Sequence, residues 1–309
     1  MDIIKIAAVS MVKNESDIIE LFIKINSRVF DTFYILDDCS TDGTAEIIKA
    51  LQSKGFKINY KKLSYGTFNQ SEITTSAVRS VANLNTFDYI IPIDVDEFIC
   101  PPNFFSAPEL IASSMSIEDA GRIPWVTYCP NSGGYFNSKA PLYENFRMRR
   151  FEPIQYYKVI LGNSFAKDCT VSSGNHGAIS TRFPSSSSKI ISLSLYHVPV
   201  RSKEQIIRKA ILGSYALALK KNRFFGEGFH WDLMAKKIRD KNYQLNDGEL
   251  LDFAIHYATQ EGDALAGELV EDCPKIGNED DKIEFRELAN INLLKSFDMA
   301  ISALIDNYK

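Results

Sequence analysis

Residues 3–11 form an almost unbroken apolar run rich in Ile, Ala and Val, the pattern of a buried strand. Polar Lys13, Asn14, Glu15 and Ser16 follow. Ile18, Ile19, Phe22, Ile23 and Ile25 then recur at helical spacing, predicting a helix over 17–28 capped by Ser16 or Asn14. The same reading predicts a strand at 31–36, a helix at 45–54 stopped by Gly55, a strand at 56–60, a helix at 69–84 and a strand at 88–93. Alternating strands and helices of this kind predict an α/β fold, a doubly wound and mostly parallel sheet with helices on both faces. Ligands of such sheets gather at the carboxyl ends of the strands. Asn14 and Glu15, Asp37 and Asp38, and Asp94 and Asp96 all fall at predicted strand ends.

Beyond residue 101 the pattern loosens. Pro, Asn, Ser and Gly interrupt the chain to about 163, leaving strand-like pieces at 122–128 and 155–161. Residues 185–188 read as an exposed loop tip, and 190–196 as a strand ending at His197. After Pro199 the spacing is helical at 201–221, 231–241, 247–259 and 281–308, with 261–280 as a loop. The last of these helices carries Ile291, Leu294, Phe297, Ile301, Leu304 and Ile305 on one side, a face for packing, for dimerisation or for a membrane surface. The pattern therefore divides the chain into an α/β domain of residues 1–200 and a helical extension of 201–309.

The chemistry concentrates at Tyr89–Ile99, where an apolar strand runs into Asp94, Asp96 and Glu97. Charge is costly in a core, so these acids should sit where the strand leaves it. On an extended chain Asp94 and Asp96 point the same way and repel unless a cation lies between them. Removal of Asp96 should then leave stability unchanged or higher in the absence of metal. Mg²⁺ or Mn²⁺ suits such oxygen ligands; the alternative is a solvated acidic turn. Composition adds exclusions. The net charge of −4 gives no basic excess for nucleic acid. The cluster at Arg147, Arg149 and Arg150 is either solvated surface or a phosphate-facing patch. Five widely spaced cysteines without a CxxC fit free thiols in a reducing, cytoplasmic setting. The first residues lack the features of a signal peptide, and no apolar run reaches membrane-spanning length, so membrane association is expected to be peripheral.

Three signals in order, Val12-Lys13-Asn14-Glu15, Asp37-Asp38-Cys39-Ser40-Thr41-Asp42-Gly43-Thr44 and Asp94-Val95-Asp96-Glu97-Phe98, resemble a family 2-type glycosyltransferase of GT-A fold. The Asp-Val-Asp-Glu-Phe form and the later His197 are most similar to the bacterial subgroup that builds surface polysaccharide and lipopolysaccharide. The resemblance is good over residues 3–100 and fades towards 200. It implies a nucleotide-binding half at 1–100, an acceptor-side half at 101–200, a nucleotide-sugar donor, a divalent metal, and a glycan or lipid-linked acceptor. It also implies that the main chain near Val9, with Asn14 and Glu15, holds the nucleoside and that Asp38 accepts from the base, uracil in a UDP-sugar. Asp94 would face the ribose or a metal-bound water, Asp96 would bind the metal, and Arg79 would pair with the acidic motif or the phosphates.

His197 is either a core residue or a further metal ligand, imidazole favouring Mn²⁺ over Mg²⁺. Neighbouring carboxylates would raise its pKa. Inversion needs a base. His176, between Gly174 and Gly177, is one candidate, and Glu97 and Asp168 are the others. The acid pair that family 2 carries in a later loop is not evident, which leaves the base unassigned. Lys158 and Arg201 read as surface salt-bridge partners that could approach a diphosphate. The aromatic and glycine-rich stretch 224–231 reads as helix core or as a sugar-stacking loop. Two other functions compete. A sugar nucleotidyltransferase would carry a Gly-rich basic loop where this chain reads SMVKNES, and a degenerate GT-A domain would bind without turnover.

Overall fold

A computed structural model of the chain describes residues 3–63, 69–101, 106–131, 142–183, 189–218, 223, 228–259, 268–272 and 281–288. Its first third is β1 (Ile6–Val12), α1 (Ile19–Asn26), β2 (Thr32–Asp37), α2 (Thr44–Ser53), β3 (Ile58–Lys62), α3 (Gln70–Ala82) and β4 (Tyr89–Pro92). β1 runs parallel to both β2 and β4, and β2 parallel to β3. Ile6, Ala8 and Val12 of β1 face one core with Phe22 and Ile23 of α1 and Ile47, Ile48 and Leu51 of α2. Ala7 and Val9 face a second core with Val78, Val81 and Ala82 of α3. A strand covered on both faces must be apolar at nearly every position, which is why the run reads as continuous and not alternating. Each fully buried Ile, Leu or Phe contributes roughly 1.5–3 kcal/mol, so these two layers hold the strand ends in place. α1 begins without a side-chain cap at Ile18. Ser16 and Asn14, predicted to cap it, bond to the loop after β2 instead.

The loosely patterned middle holds more regular structure than the sequence predicts. It comprises β5 (Glu97–Cys100), α4 (Ala107–Ser114), β6 (Ala120–Cys129), α5 (Leu142–Asn145), β7 (Met148–Arg150), β8 (Tyr157–Gly162), α6 (Asn163–Ala166), β9 (Thr170–Val171), β10 (Ala178–Ile179), β11 (Lys189–Ile190) and β12 (Ser194–His197). β8 pairs antiparallel with β4 and with β6, giving the order β3-β2-β1-β4-β8-β6. β12 pairs antiparallel with β5 and parallel with β6, and it sets His197 opposite Glu97. α4 escapes the hydrophobic pattern because Ala107 and Ile111 are its buried residues; its signal is the Ser106 cap, which accepts from the Glu109 N–H.

The remaining elements are α7 (Lys203–Ala218), α8 (Phe229–Asp240), α9 (Asp247–Ile255) and β13 (Leu269–Glu271). Val200, Ile206, Ala210, Met234, Ile238, Leu250 and Phe253 form their common core. β13 lies in the stretch predicted as loop and pairs antiparallel with β7, returning the chain to the sheet. The predicted helix at 281–308 does not begin at 281. Its described part holds no α-helix, only a 3₁₀ turn at Arg286–Leu288, and is bound to α1, where the Glu20 carboxylate accepts the N–H groups of Glu284 and Phe285 at 2.9 Å each. The apolar face at 291–305, the loop at 185–188 and residues 224–227 lie outside the described residues. Among the described residues no helix is long and apolar enough to cross a membrane. Cys39, Cys100, Cys129 and Cys169 are buried free thiols.

Candidate active site

The loops after β1 and β2 are bonded to each other. Asn14 takes a left-handed backbone (φ 58°), and its side-chain oxygen accepts the Thr41 N–H at 2.7 Å and the Thr41 hydroxyl at 3.2 Å. Its own N–H donates to the Ser40 hydroxyl. The Glu15 N–H donates to Thr44 Oγ1, and Ser16 donates twice to Asp42. Arg208 of α7 spans both loops, bonding the Asn14 carbonyl and lying 3.3 Å from Asp42. Asn14 therefore joins the two loops through its side-chain oxygen and its N–H. The main chain near Val9, expected to hold the nucleoside, is part of β1. Val9 sits inside the sheet between Tyr34 and Pro92, and its carbonyl accepts the Ile93 N–H. Asp38 does stand at the end of β2, where it pairs with Lys13 at 2.8 Å.

Asp94 and Asp96 are not side by side on a strand. β4 ends at Pro92 and β5 begins at Glu97, with a turn between them in which the Glu97 N–H donates to the Asp94 carbonyl. The turn removes the basis for shared repulsion, and each acid has its own lysine. Lys158 lies 2.7 Å from Asp94 and 2.9 Å from Glu97, and Lys209 lies 2.7 Å from Asp96 and 3.4 Å from Glu15. Arg201 is fully buried, with 2.6 Å contacts to Asp17 and Glu15 and a 3.7 Å approach to Asp96. Lys158 and Arg201 are thus not surface salt bridges. Lys209 and Arg201 hold the Asp96 carboxyl below its ordinary range against the opposing effect of burial. Removing Asp96 would leave those cations in excess, so the expectation of unchanged stability does not stand.

Of the three base candidates, two have structural roles. Glu97 is sealed from solvent and accepts from Lys158, the Trp125 indole N–H and the Asp94 N–H. Asp168 organises the turn at 180–182, accepting from the Ser180 and Thr181 hydroxyls and the Arg182 N–H. Arg79 does not pair with the acidic motif; its guanidinium donates to the carbonyls of Asp168 and Cys169. His176 does stand beside the acids. The left-handed backbone at Gly174 (φ 72°), where a Cβ would lie 2.5 Å from His176 Nε2, presents the Gly174 carbonyl to Lys158 at 3.0 Å. His176 Nδ1 is 3.0 Å from the Tyr157 carbonyl, which can only accept. Nδ1 therefore carries the proton and Nε2 keeps its lone pair. Burial, followed by Lys158, lowers the His176 pKa, so the ring is neutral near pH 7.

An arc of rings borders this cluster. Trp125 stacks on His197 at 4.3 Å, His197 meets Tyr257 at 5.5 Å, and Tyr257 meets His230 and Trp231 of α8 at 5.4 and 5.9 Å. His197 Nε2 faces Asp96 Oδ1 at 3.7 Å, while its Nδ1 is buried with no hydrogen-bond partner among the described residues. Burial lowers the His197 pKa to about 3 and outweighs Asp96, the reverse of the expected rise. A neutral imidazole nitrogen facing a carboxylate oxygen fits a divalent ion of the Mn²⁺ kind. No set of three His, Cys, Asp or Glu ligands occurs among the described residues. Two protein ligands suffice where phosphate and water complete the coordination of a hard cation.

Sequence reasoning missed Asp17, Lys209, Arg208, Trp125 and Tyr257. The signal for two of them was the polar series Arg201, Gln205, Arg208 and Lys209 at helical spacing. It reads as a solvated face, yet Arg201, Gln205 and Arg208 are buried. Arg150 of the basic cluster is buried too, bonded to Glu152 and to the carbonyls of Ile255 and Tyr257, so it is neither solvated nor free for phosphate.

No curated protein sequence matches the chain. Among solved structures it is similar to S. aureus TarS 1-349, at 15% identity over 81% of this chain and 74% of that one with a TM-score of 0.41. The same TarS fragment in complex with UDP matches at 14% identity over 81% and 75%, TM-score 0.40. GalNAc-T7 with UDP, GalNAc and Mn²⁺ matches at 10% identity over 83% and 57%, TM-score 0.39. The family comparison is more specific: residues 9–111, which contain Asn14, Glu15, Asp38, Asp94 and Asp96, match the model of glycosyl transferase family 2. The sheet order and that match support a GT-A-like fold, with the likeness to glycosyl transferase family 2 confined to residues 9–111.

Proposed function

We propose that this chain is a metal-dependent glycosyltransferase, moving a sugar from a nucleotide-sugar to a hydroxyl of a glycan or glycolipid with inversion; a UDP-sugar is the donor to test first. The observation that carries this reading is the meeting of Glu15, Asp96 and His197 at the ends of β1, β4 and β12, in and beside the segment that matches the family model. Asp96 and His197 would hold the ion. When bound, it would supply positive charge to the departing diphosphate without needing a proton. Asp38, at the mouth of the β2 loop, would accept from the base. Asp94, oriented by Lys158 and Asn175, would face the ribose. His176 is the base of choice. The Tyr157 carbonyl fixes its ring through Nδ1, leaving Nε2 to take the acceptor hydroxyl's proton. The rings of Tyr156, His230 and Trp231 are only partly buried and offer faces on which an acceptor sugar can stack.

The Asp94–Phe98 motif supports placing the reaction in bacterial surface-polysaccharide or lipopolysaccharide synthesis, at the cytoplasmic face of the membrane. Incubation of EDTA-stripped protein with UDP-sugars, with and without added Mn²⁺, tests the reading. Mn²⁺-dependent release of UDP is the expected result. Binding without turnover would favour a degenerate domain, and consumption of a nucleoside triphosphate with a sugar phosphate would favour a nucleotidyltransferase.

A further inference from the structure

Two cations, Arg201 and Lys209, neutralise the acids at the ends of β1 and β4, and they are held differently. Arg201 is fully buried and fixed from every side: Nε and Nη2 on Asp17, Nη2 also on Glu15, and Nη1 on the Val198 carbonyl. Lys209 extends from α7 with 24% of its side chain exposed, touching Asp96 Oδ2 at 2.7 Å and Glu15 Oε1 at 3.4 Å. Its ammonium lies 5.9 Å from the Trp231 ring. An ammonium on a flexible four-carbon stem can exchange partners, whereas a guanidinium with four fixed contacts cannot.

The charge balance points the same way. Glu15, Asp17 and Asp96 face the ammonium of Lys209 and the guanidinium of Arg201, three acids against two cations, so a divalent ion added alone turns the cluster net positive. A divalent ion entering alone must displace Lys209 from Asp96 while both positive charges stay in a buried site. An ion arriving with a diphosphate brings the negative charge that Lys209 then needs. We propose that Lys209 is the exchangeable cation of this site: it holds Asp96 in the ligand-free protein, yields that carboxylate to a divalent ion, and moves onto the diphosphate. Lys209 thereby makes metal and nucleotide bind as a pair. Coupling of this kind is reciprocal, so each ligand tightens the other by the same factor. The diphosphate half of the proposal rests on the glycosyltransferase reading, and the metal half does not.

Calorimetric titration of EDTA-stripped wild type and Lys209→Met tests both halves without any turnover. The variant is expected to bind Mn²⁺ alone about tenfold more tightly, since a competing positive charge near the ion is gone. It should bind UDP in saturating Mn²⁺ several-fold more weakly, and the mutual tightening of Mn²⁺ and UDP should shrink. Uridine affinity should be unchanged, which reports an intact nucleoside site, and Lys209→Arg should restore UDP binding in saturating Mn²⁺. Mn²⁺ affinity that is equal or weaker in Lys209→Met overturns the metal half. Undiminished UDP affinity in saturating Mn²⁺ overturns the phosphate half. A wild-type protein that binds no nucleoside diphosphate overturns the glycosyltransferase reading and the phosphate half with it, while the Mn²⁺ comparison still decides the metal half.

Discussion

His176, His197 and His230 all stand around the acidic motif, and burial is the leading cause of a lowered pKa at each. For His197 the folded value of about 3 lies below the ordinary 6.5, so between those pH values the unfolded chain binds a proton that the folded one does not. Its neutral form therefore favours folding fully above about pH 6.5, and that contribution is lost as pH falls towards 3. In EDTA-stripped protein, His197→Gln should flatten the drop in melting temperature between about pH 7 and about pH 5. An equally steep drop in the variant would show that His197 is not held neutral. His176 makes a different prediction. If its Nε2 takes the acceptor proton, His176→Gln should lower kcat about a hundredfold or more while nucleotide affinity stays within error of wild type. A parallel loss of nucleotide affinity would mean that the ring shapes the donor site instead.

The elements differ in how openly the sequence displays them. β1, β2 and β4 are legible because burial on two faces makes their apolar runs continuous, and the acids at their ends are legible because charge leaves the core where a strand does. The turn between β4 and β5 was not legible: Asp94-Val95-Asp96-Glu97 satisfies an extended reading as well as a bent one. Nor was α7, whose cations owe their burial to acids almost two hundred positions earlier, as with Arg201 and Asp17. The partners of Glu97 were not legible either, because nothing in its sequence neighbourhood announces Trp125 and Lys158. The α7 assignment has a direct check. Breaking a buried ion pair from one side costs about 3–5 kcal/mol, so Arg201→Met should lower the urea midpoint accordingly. A loss under about 1 kcal/mol, typical of an exposed pair, would contradict its buried role.

For the whole molecule, the division at residue 200 is the question the architecture raises. Arg201, Arg208 and Lys209 lie beyond it, yet they neutralise Asp17, Glu15, Asp42 and Asp96. β13 also returns to the sheet through β7. A chain ending at residue 200 is expected to lose cooperative urea unfolding and near-ultraviolet circular dichroism, because buried carboxylates would remain without counter-ions. A cooperatively folded fragment would show that the helices are an independent extension. The central claim, a nucleotide-sugar site built on Asp96, is tested most directly by UDP release from a panel of UDP-sugars in Mn²⁺, comparing wild type with Asp96→Asn. Wild type should show Mn²⁺-dependent release that EDTA abolishes, with at least a hundredfold loss, about 2.7 kcal/mol of transition-state stabilisation, in a variant that still folds. Equal Mn²⁺-dependent release by Asp96→Asn would contradict it.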